Sequence, residues 1–329
     1  MRTPHTPRAT IRSVAVGLGV ASLIGAAMAT SVGAAPAAQA SGADRPEIMM
    51  KIHGAPGQGG KPVRSVQLTY HGGVGGLGVV TGSDKVYVIY WGSQWTGNDP
   101  SGQAAIQQDF FSHVGGSSWN NSVTQYCQGV ATGTVTCGSS GVHATNPTGV
   151  LAGSWSDNAA AAPSHPTQSQ LAGEAVRAAA HFGNTSATSN ATVQYVISTA
   201  TGNNASGFGT QYCAWHSSTG STYGNIAYTN MPYMTDAGAS CGANFNGLGA
   251  KAGITIVGGH EFAETETDIY PNGGWLDRNG AENADKCAWI SSGQGASANV
   301  TLTGGVSYPV QSLWSNAFNG NKGGCVNSY

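Results

Sequence analysis

The segment Gly258-Gly259-His260-Glu261-Phe262-Ala263-Glu264-Thr265-Glu266-Thr267-Asp268 brings together residue types and a spacing that could do chemistry. On a helix, residues four apart project from one face, so His260 and Glu264 would stand together. Glu261 follows His260 in the chain and can point at the same place. A helical H-E-x-x-H uses this geometry to bind zinc, with the first Glu as general base toward the metal-activated water. Here a carboxylate stands where the second imidazole would be. Zinc accepts carboxylate oxygens, so metal binding survives the exchange. The harder donor set also makes Ca²⁺ a competitor. His260 and Glu264 are therefore the expected metal ligands and Glu261 the expected catalytic base.

A third ligand must come from another segment. The run 274–287, Gly-Trp-Leu-Asp-Arg-Asn-Gly-Ala-Glu-Asn-Ala-Asp-Lys-Cys, offers Glu282 as first choice, eighteen residues beyond Glu264. Asp285 is expected to hold the second N–H of His260, because ligating imidazoles commonly donate that proton to a carboxylate or carbonyl. Asp268 and Asp277 are further acidic candidates, and His216 in Cys213-Ala214-Trp215-His216 is a rival third ligand. The bland alternative is a solvated acidic patch. Against it, the chain has only 15 acidic residues, and Glu261, Glu264, Glu266, Asp268, Asp277, Glu282 and Asp285 share one short window. A solvated acidic helix also carries Lys or Arg for i,i+4 pairs, and none stands between His260 and Asp277.

Other chemistries have thinner support. His71, in Tyr70-His71-Gly72-Gly73, reads equally well as an exposed histidine in a glycine-rich turn. No G-x-S-x-G elbow accompanies the many serines. A carboxylate pair, Glu261 or Glu264 with Asp277 or Glu282, could hydrolyse a glycoside.

The elements that must position these residues follow from periodicity. Residues 65–70 alternate as a strand, and 85–91 (Lys-Val-Tyr-Val-Ile-Tyr-Trp) read as a buried central strand. Helices are expected from Pro100 to His113, over 169–182 with Thr167 or Ser169 as N-cap, and over 248–267. Residues 192–198 and 225–231 read as strands, the second as an edge strand that would carry substrate. A hairpin turned at Gly304-Gly305 closes the chain, and 119–158 reads as loops with short strands. The expected fold class is α/β, with α+β as the alternative. It is a single domain whose mixed β-sheet carries packed helices and a zincin-like active-site helix.

Composition sets the compartment. Residues 1–40 have a basic start, an apolar run and Ala38-Gln39-Ala40, which reads as a cleavable signal peptide. Residues 41–63 read as a flexible or pro-like lead-in, and 64–329 as the secreted domain. Charged residues make up 9% of the chain and the formal net charge is −2, which leaves no basic footprint for nucleic acid. No later run is long enough for a membrane anchor once the leader is cleaved. Six cysteines in an exported chain read as three disulfides. The expected pairing is sequential: Cys127 with Cys137, Cys213 with Cys241, and Cys287 with Cys325.

Two stretches carry a family resemblance. Thr69-Tyr70-His71-Gly72-Gly73 followed by Val86-Tyr87-Val88-Ile89-Tyr90-Trp91-Gly92 resembles the start of the phosphate-induced protein 1 (EXORDIUM-like) secreted family. The order Cys213-x-x-His216, His260-Glu261, Thr267-Asp268, Glu282 and a cysteine is similar to that family's C-terminal half. It is closer still to secreted bacterial proteins with a HExxE-x-x-T-D helix. The resemblance covers most of 64–329 and implies an extracellular protein, with no agreed enzymatic activity for the plant members. Their pattern keeps the His-Glu pair and lacks an equivalent of Glu264, which raises His216 and Glu282 as ligands. The expectation is thus a secreted zinc-dependent hydrolase, a metallopeptidase acting on extracellular peptide or protein. The alternatives are a non-catalytic EXORDIUM-like protein binding a cell-wall or carbohydrate ligand, with a structural or Ca²⁺-holding acidic helix, and a carbohydrate-active enzyme.

Overall fold

Lys85-Val86-Tyr87-Val88-Ile89-Tyr90-Trp91 forms the expected strand, and every residue after Lys85 is buried. Its side chains alternate between two apolar layers: Val86 and Val88 enter one, Tyr87 and Ile89 the other. The computed structural model describes the backbone of residues 47–50 and all of 66–329. The expected leader, 1–40, lies outside the described residues, as does most of the 41–63 lead-in.

In chain order the strands and helices are β1 Glu47–Met50, β2 Thr69–Tyr70, β3 Lys85–Trp91, α1 Gln103–His113, β4 Cys127–Gln128, β5 Val142–His143 and β6 Leu151–Asp157. Then come α2 Gln168–His181, α3 Ala187–Asn190, β7 Val193–Thr199, β8 Tyr212–Ser221, β9 Gly224–Met231 and α4 Ala252–Thr267. The chain closes with β10 Trp275–Leu276, β11 Ala298–Thr301, β12 Ser307–Val310, β13 Leu313–Ser315, α5 Phe318–Asn321 and β14 Gly324–Val326. The main sheet has the order β1-β8-β9-β7-β3-β6. From β9 to β6 the neighbours are parallel, while β8 and β1 add antiparallel pairings. The mixed α/β class is the expected one.

Helix α2 covers one face of this sheet through Leu171, Ala175, Ala178 and Ala179. Thr167 caps it in a capping box with Gln170, as its sequence predicts. On the other face, α1 and α4 contribute Phe110, Phe111, Ile254, Val257 and Phe262 to the larger core. Three expectations change. The strand over 225–231 is not an edge: β9 lies between β8 and β7. The Cys213–His216 stretch, expected in a loop, is part of β8, the longest strand. Helix α4 begins at Ala252 rather than at 248, because Asn246 and Gly249 take positive φ in the turn before it.

All sixteen residues of α4 are buried. Gly259 permits this: a Cβ there would lie 3.2 Å from the rings of Phe110 and Trp119. The three disulfides follow the sequential pairing, Cys127–Cys137, Cys213–Cys241 and Cys287–Cys325. The second ties the start of β8 to the segment that leads into α4, and the third anchors the segment after Glu282. Both flank the expected site. Among the described residues no helix is long and apolar enough to cross a membrane.

Near its C-terminal end α4 carries Glu266, which is hydrogen-bonded to Asp84 and accepts from Asn120 Nδ2 at 3.0 Å. Burial pushes Asp84 up to about 7 and Glu266 well above the ordinary carboxylate range. The folded state therefore keeps a proton that the unfolded chain releases near pH 4. That stabilisation is present at low pH and is lost as pH rises through about 7. In chelator, the loss of stability between pH 5.5 and pH 8 should be smaller in Asp84→Asn than in the unmutated protein, as read from the melting temperatures of the two at each pH. An unchanged pH slope in the variant would contradict the assignment.

Candidate metal centre

Helix α4 presents His260, Glu261 and Glu264 toward β8 and toward the loop that follows β10. His216 on β8 approaches from the sheet, while Glu282 and Asp285 approach from that loop. His216, His260, Glu261, Glu264 and Glu282 are each no more than 1% exposed. Asp285, with its side chain 22% exposed, is the member nearest solvent. Glu264 Oε1 lies 3.0 Å from His260 Nε2, and Oε2 lies 3.6 Å from His216 Nε2. His216 Nε2 also meets Glu282 Oε2 at 2.8 Å, and His260 Nε2 faces Asp285 Oδ1 at 3.6 Å. Donor atoms of His216, Glu261 and Glu264 lie within 4.8 Å of one another, as do those of His260, Glu264 and Asp285.

Glu282 therefore sits against His216, with Glu264 between the two imidazoles. Asp285, expected behind His260, stands instead on its Nε2 side. The residue behind His260 is Gln311, whose Oε1 lies 3.1 Å from Nδ1. The Gln311 amide is oriented by its own bonds: its Nε2 donates to Ala284 O at 2.7 Å, which leaves Oε1 as the acceptor. Its main-chain oxygen accepts from Trp119 Nε1 at 2.8 Å.

These bonds decide the tautomer of His260. Burial lowers its proton affinity, so the ring is neutral. Its one proton sits on Nδ1, against Gln311. Nε2 then carries a lone pair turned toward Glu264 and Asp285, and it makes no hydrogen bond despite the 3.0 Å approach of Glu264. A buried lone pair that faces carboxylates calls for a proton or a cation between them. Burial, with His260 nearby, also pushes His216 down to about 3, so that ring is neutral too, and its Nε2 is hydrogen-bonded to Glu282 Oε2 at 2.8 Å.

The separations suit an ion. Two bonds of about 2.0–2.2 Å meeting at an angle of roughly 90–120° span about 3–3.7 Å between donors. Glu264 to His260, Glu264 to His216 and Asp285 to His260 fall in or near that range. The helix is held in register by Gln194 on β7, whose Nε2 donates to Glu261 O at 3.2 Å and to Thr265 Oγ1 at 2.9 Å. Asn283 Nδ2 donates to Ala263 O at 3.1 Å and fixes the loop on the helix.

The remaining acidic candidates serve loops. Asp268 accepts from the backbone N–H groups of Asn272, Gly273 and Gly274. Asp277 accepts from the backbone N–H groups of Asn279 and Ala281, and from Lys286 Nζ at 3.1 Å. Burial alone would raise Asp277, but those two N–H groups and the Lys286 ammonium hold it below its ordinary value. His71 is exposed in its glycine-rich turn.

No family model, curated protein or solved structure matches the chain.

Outer partners that fix a ligating imidazole are commonly worth 10–100-fold in metal affinity. Gln311→Leu keeps the volume and removes the acceptor at Nδ1. Zinc affinity, measured by competition with a chromophoric chelator, should fall by about that factor. Undiminished affinity in a folded variant would refute the role of Gln311.

Proposed function

We propose that this chain is a secreted, divalent-metal-dependent hydrolase that cleaves extended peptides. The observation that carries the reading is the His260 lone pair, set by Gln311 and turned into a buried group of carboxylates. Two imidazoles beside the carboxylates favour zinc over calcium, which prefers oxygen donors. His260, His216, Glu264, Glu282 and Asp285 would hold the metal. When bound, it would polarise the scissile carbonyl and acidify the attacking water.

Glu261 takes the part of proton acceptor. It follows His260 on the helix and its carboxylate lies within 4.8 Å of donors on His216 and Glu264. A carboxylate that receives the water's proton can return it to the leaving amine. Asp285 marks the side from which substrate would enter, since its side chain is the partly exposed one.

Support for a peptide comes from the sheet edge. Strand β1 pairs antiparallel with β8, and Glu47 is in register with His216. The β8 edge thus accepts an extended main chain next to a candidate ligand, a mode that gives affinity through backbone hydrogen bonds. Strand β1 belongs to the lead-in that the sequence marks as pro-like. Secretion is supported by the sequence of residues 1–40, and the three disulfides fit an oxidising compartment. A second reading, an extracellular binding protein with a structural ion, is favoured by the near-complete burial of the group.

Glu261→Gln separates the two readings. Cleavage of casein or a mixed peptide library by the zinc-loaded protein should fall about 10²–10⁴-fold, with zinc content and melting temperature retained. Removing the chain through Met50 should raise the rate by opening the edge. Zinc-loaded protein with no cleavage before or after that removal would leave the structural-ion reading in its place.

A further inference from the structure

Strand β8 has two faces, and the metal centre uses one of them. His216 turns toward α4, while Trp215 and Tyr212 join the apolar layer that packs under α2. Beside those two rings lies a cavity of about 290 Å³, lined also by Pro166, Ala205, Ser206 and Gln211. None of its lining residues is Asp, Glu, Lys or Arg. Sites for whole small molecules run from about 300 to 1,000 Å³, so this space suits one side chain.

Register connects the cavity to the sheet edge. Directly opposite residues of an antiparallel pair lie on one face, with Cβ atoms about 4.5–5.5 Å apart. Glu47 stands opposite His216, Ile48 opposite Trp215 and Met50 opposite Tyr212. The register shifts between Met49 and Met50, so Cys213 is an extra residue in β8 and Tyr212 returns to the Trp215 side. Neighbouring residues of a strand point to opposite faces. A peptide in the place of β1 therefore aims one residue at the metal side and the next at the cavity.

We propose that this cavity is a specificity subsite for the peptide. It takes a large uncharged side chain, aliphatic or thioether, from the residue that follows the one opposite His216. The subsite deepens the peptide-hydrolase reading and rests on it. An aliphatic side chain gains by leaving water for such a space, and a charged one loses hydration without meeting an opposite charge. The chain's own strand has Ile48 and Met50, both of this class, at the registers opposite Trp215 and Tyr212.

The test uses the zinc-loaded full chain and synthetic peptides with the sequence of residues 45–51, unchanged or carrying Ile48→Ala, Ile48→Glu or Ile48→Lys. Strand β1 competes equally with every peptide, so ratios of kcat/KM read the cavity in the full chain. The unchanged peptide should exceed the Ile48→Ala peptide by about tenfold or more, and the two charged peptides by a larger factor. Gln211 lines the cavity and is exposed, so Gln211→Glu changes its charge without disturbing the core. That variant should raise the Ile48→Lys peptide over the Ile48→Glu peptide several-fold. Cleavage with no preference at this residue would overturn the subsite and leave the hydrolase reading standing. Where none of the peptides is cleaved, fluorescence anisotropy with labelled copies decides. Tenfold tighter binding of the unchanged peptide than of the charged ones would uphold the subsite apart from any hydrolysis, and equal or absent binding would overturn it.

Discussion

Three glutamates, Glu261, Glu264 and Glu282, lie buried against two histidines, and the surrounding structure is arranged around that arrangement's cost. Carboxylates are almost never fully buried unless paired or bound to metal. Here they stand on or beside a helix whose every residue is inside the fold, with two imidazoles that burial keeps neutral. A cation in the group would relieve the repulsion among acceptors. The fold supplies what such a centre needs: a rigid helix, a sheet that delivers His216, and a disulfide-anchored loop that delivers Glu282 and Asp285.

Rigidity comes from polar contacts as much as from apolar packing. Gln194 binds α4 to the sheet, Asn283 binds the loop to α4, and Gln311 fixes the ring of His260 while reaching back to Ala284. Each of these side chains is buried or pinned by more than one bond, so each can hold only one position. Glu266 of the same helix is hydrogen-bonded to Asp84, and burial raises the proton affinity of both. Helix α4 thus carries buried acids in two settings: a carboxyl pair with raised proton affinity near its C-terminal end, and a His-carboxylate group at its middle that could hold a metal ion.

Much of this was legible in the sequence. The unbroken apolar run of β3, the Thr167 cap of α2, the hairpin turned at Gly304-Gly305 and the sequential disulfides all follow from local chemistry. So does the common face of His260 and Glu264. What escaped was tertiary. The β8 segment is rich in Ser, Thr and Gly and poor in β-branched apolar residues, so His216 read as a loop residue. Asp285 reads as a partner behind His260 until the turn at Asp285–Cys287 swings it to the Nε2 side. Gln311 carries no motif; only the path of the chain after β12 brings it to the ring. The inner position of β9, with β8 and then β1 outside it, is set by sheet order, which periodicity within one strand does not encode.

A divalent cation would complete this buried group. Anything that binds the folded state alone raises its stability by about 2.7 kcal/mol at a hundredfold excess over Kd. The direct test is thermal unfolding of the chelator-stripped protein at pH 7, with and without added zinc. A saturable rise in melting temperature with zinc and a return to the lower value in chelator are expected. A melting temperature that zinc and chelator both leave unchanged would contradict it.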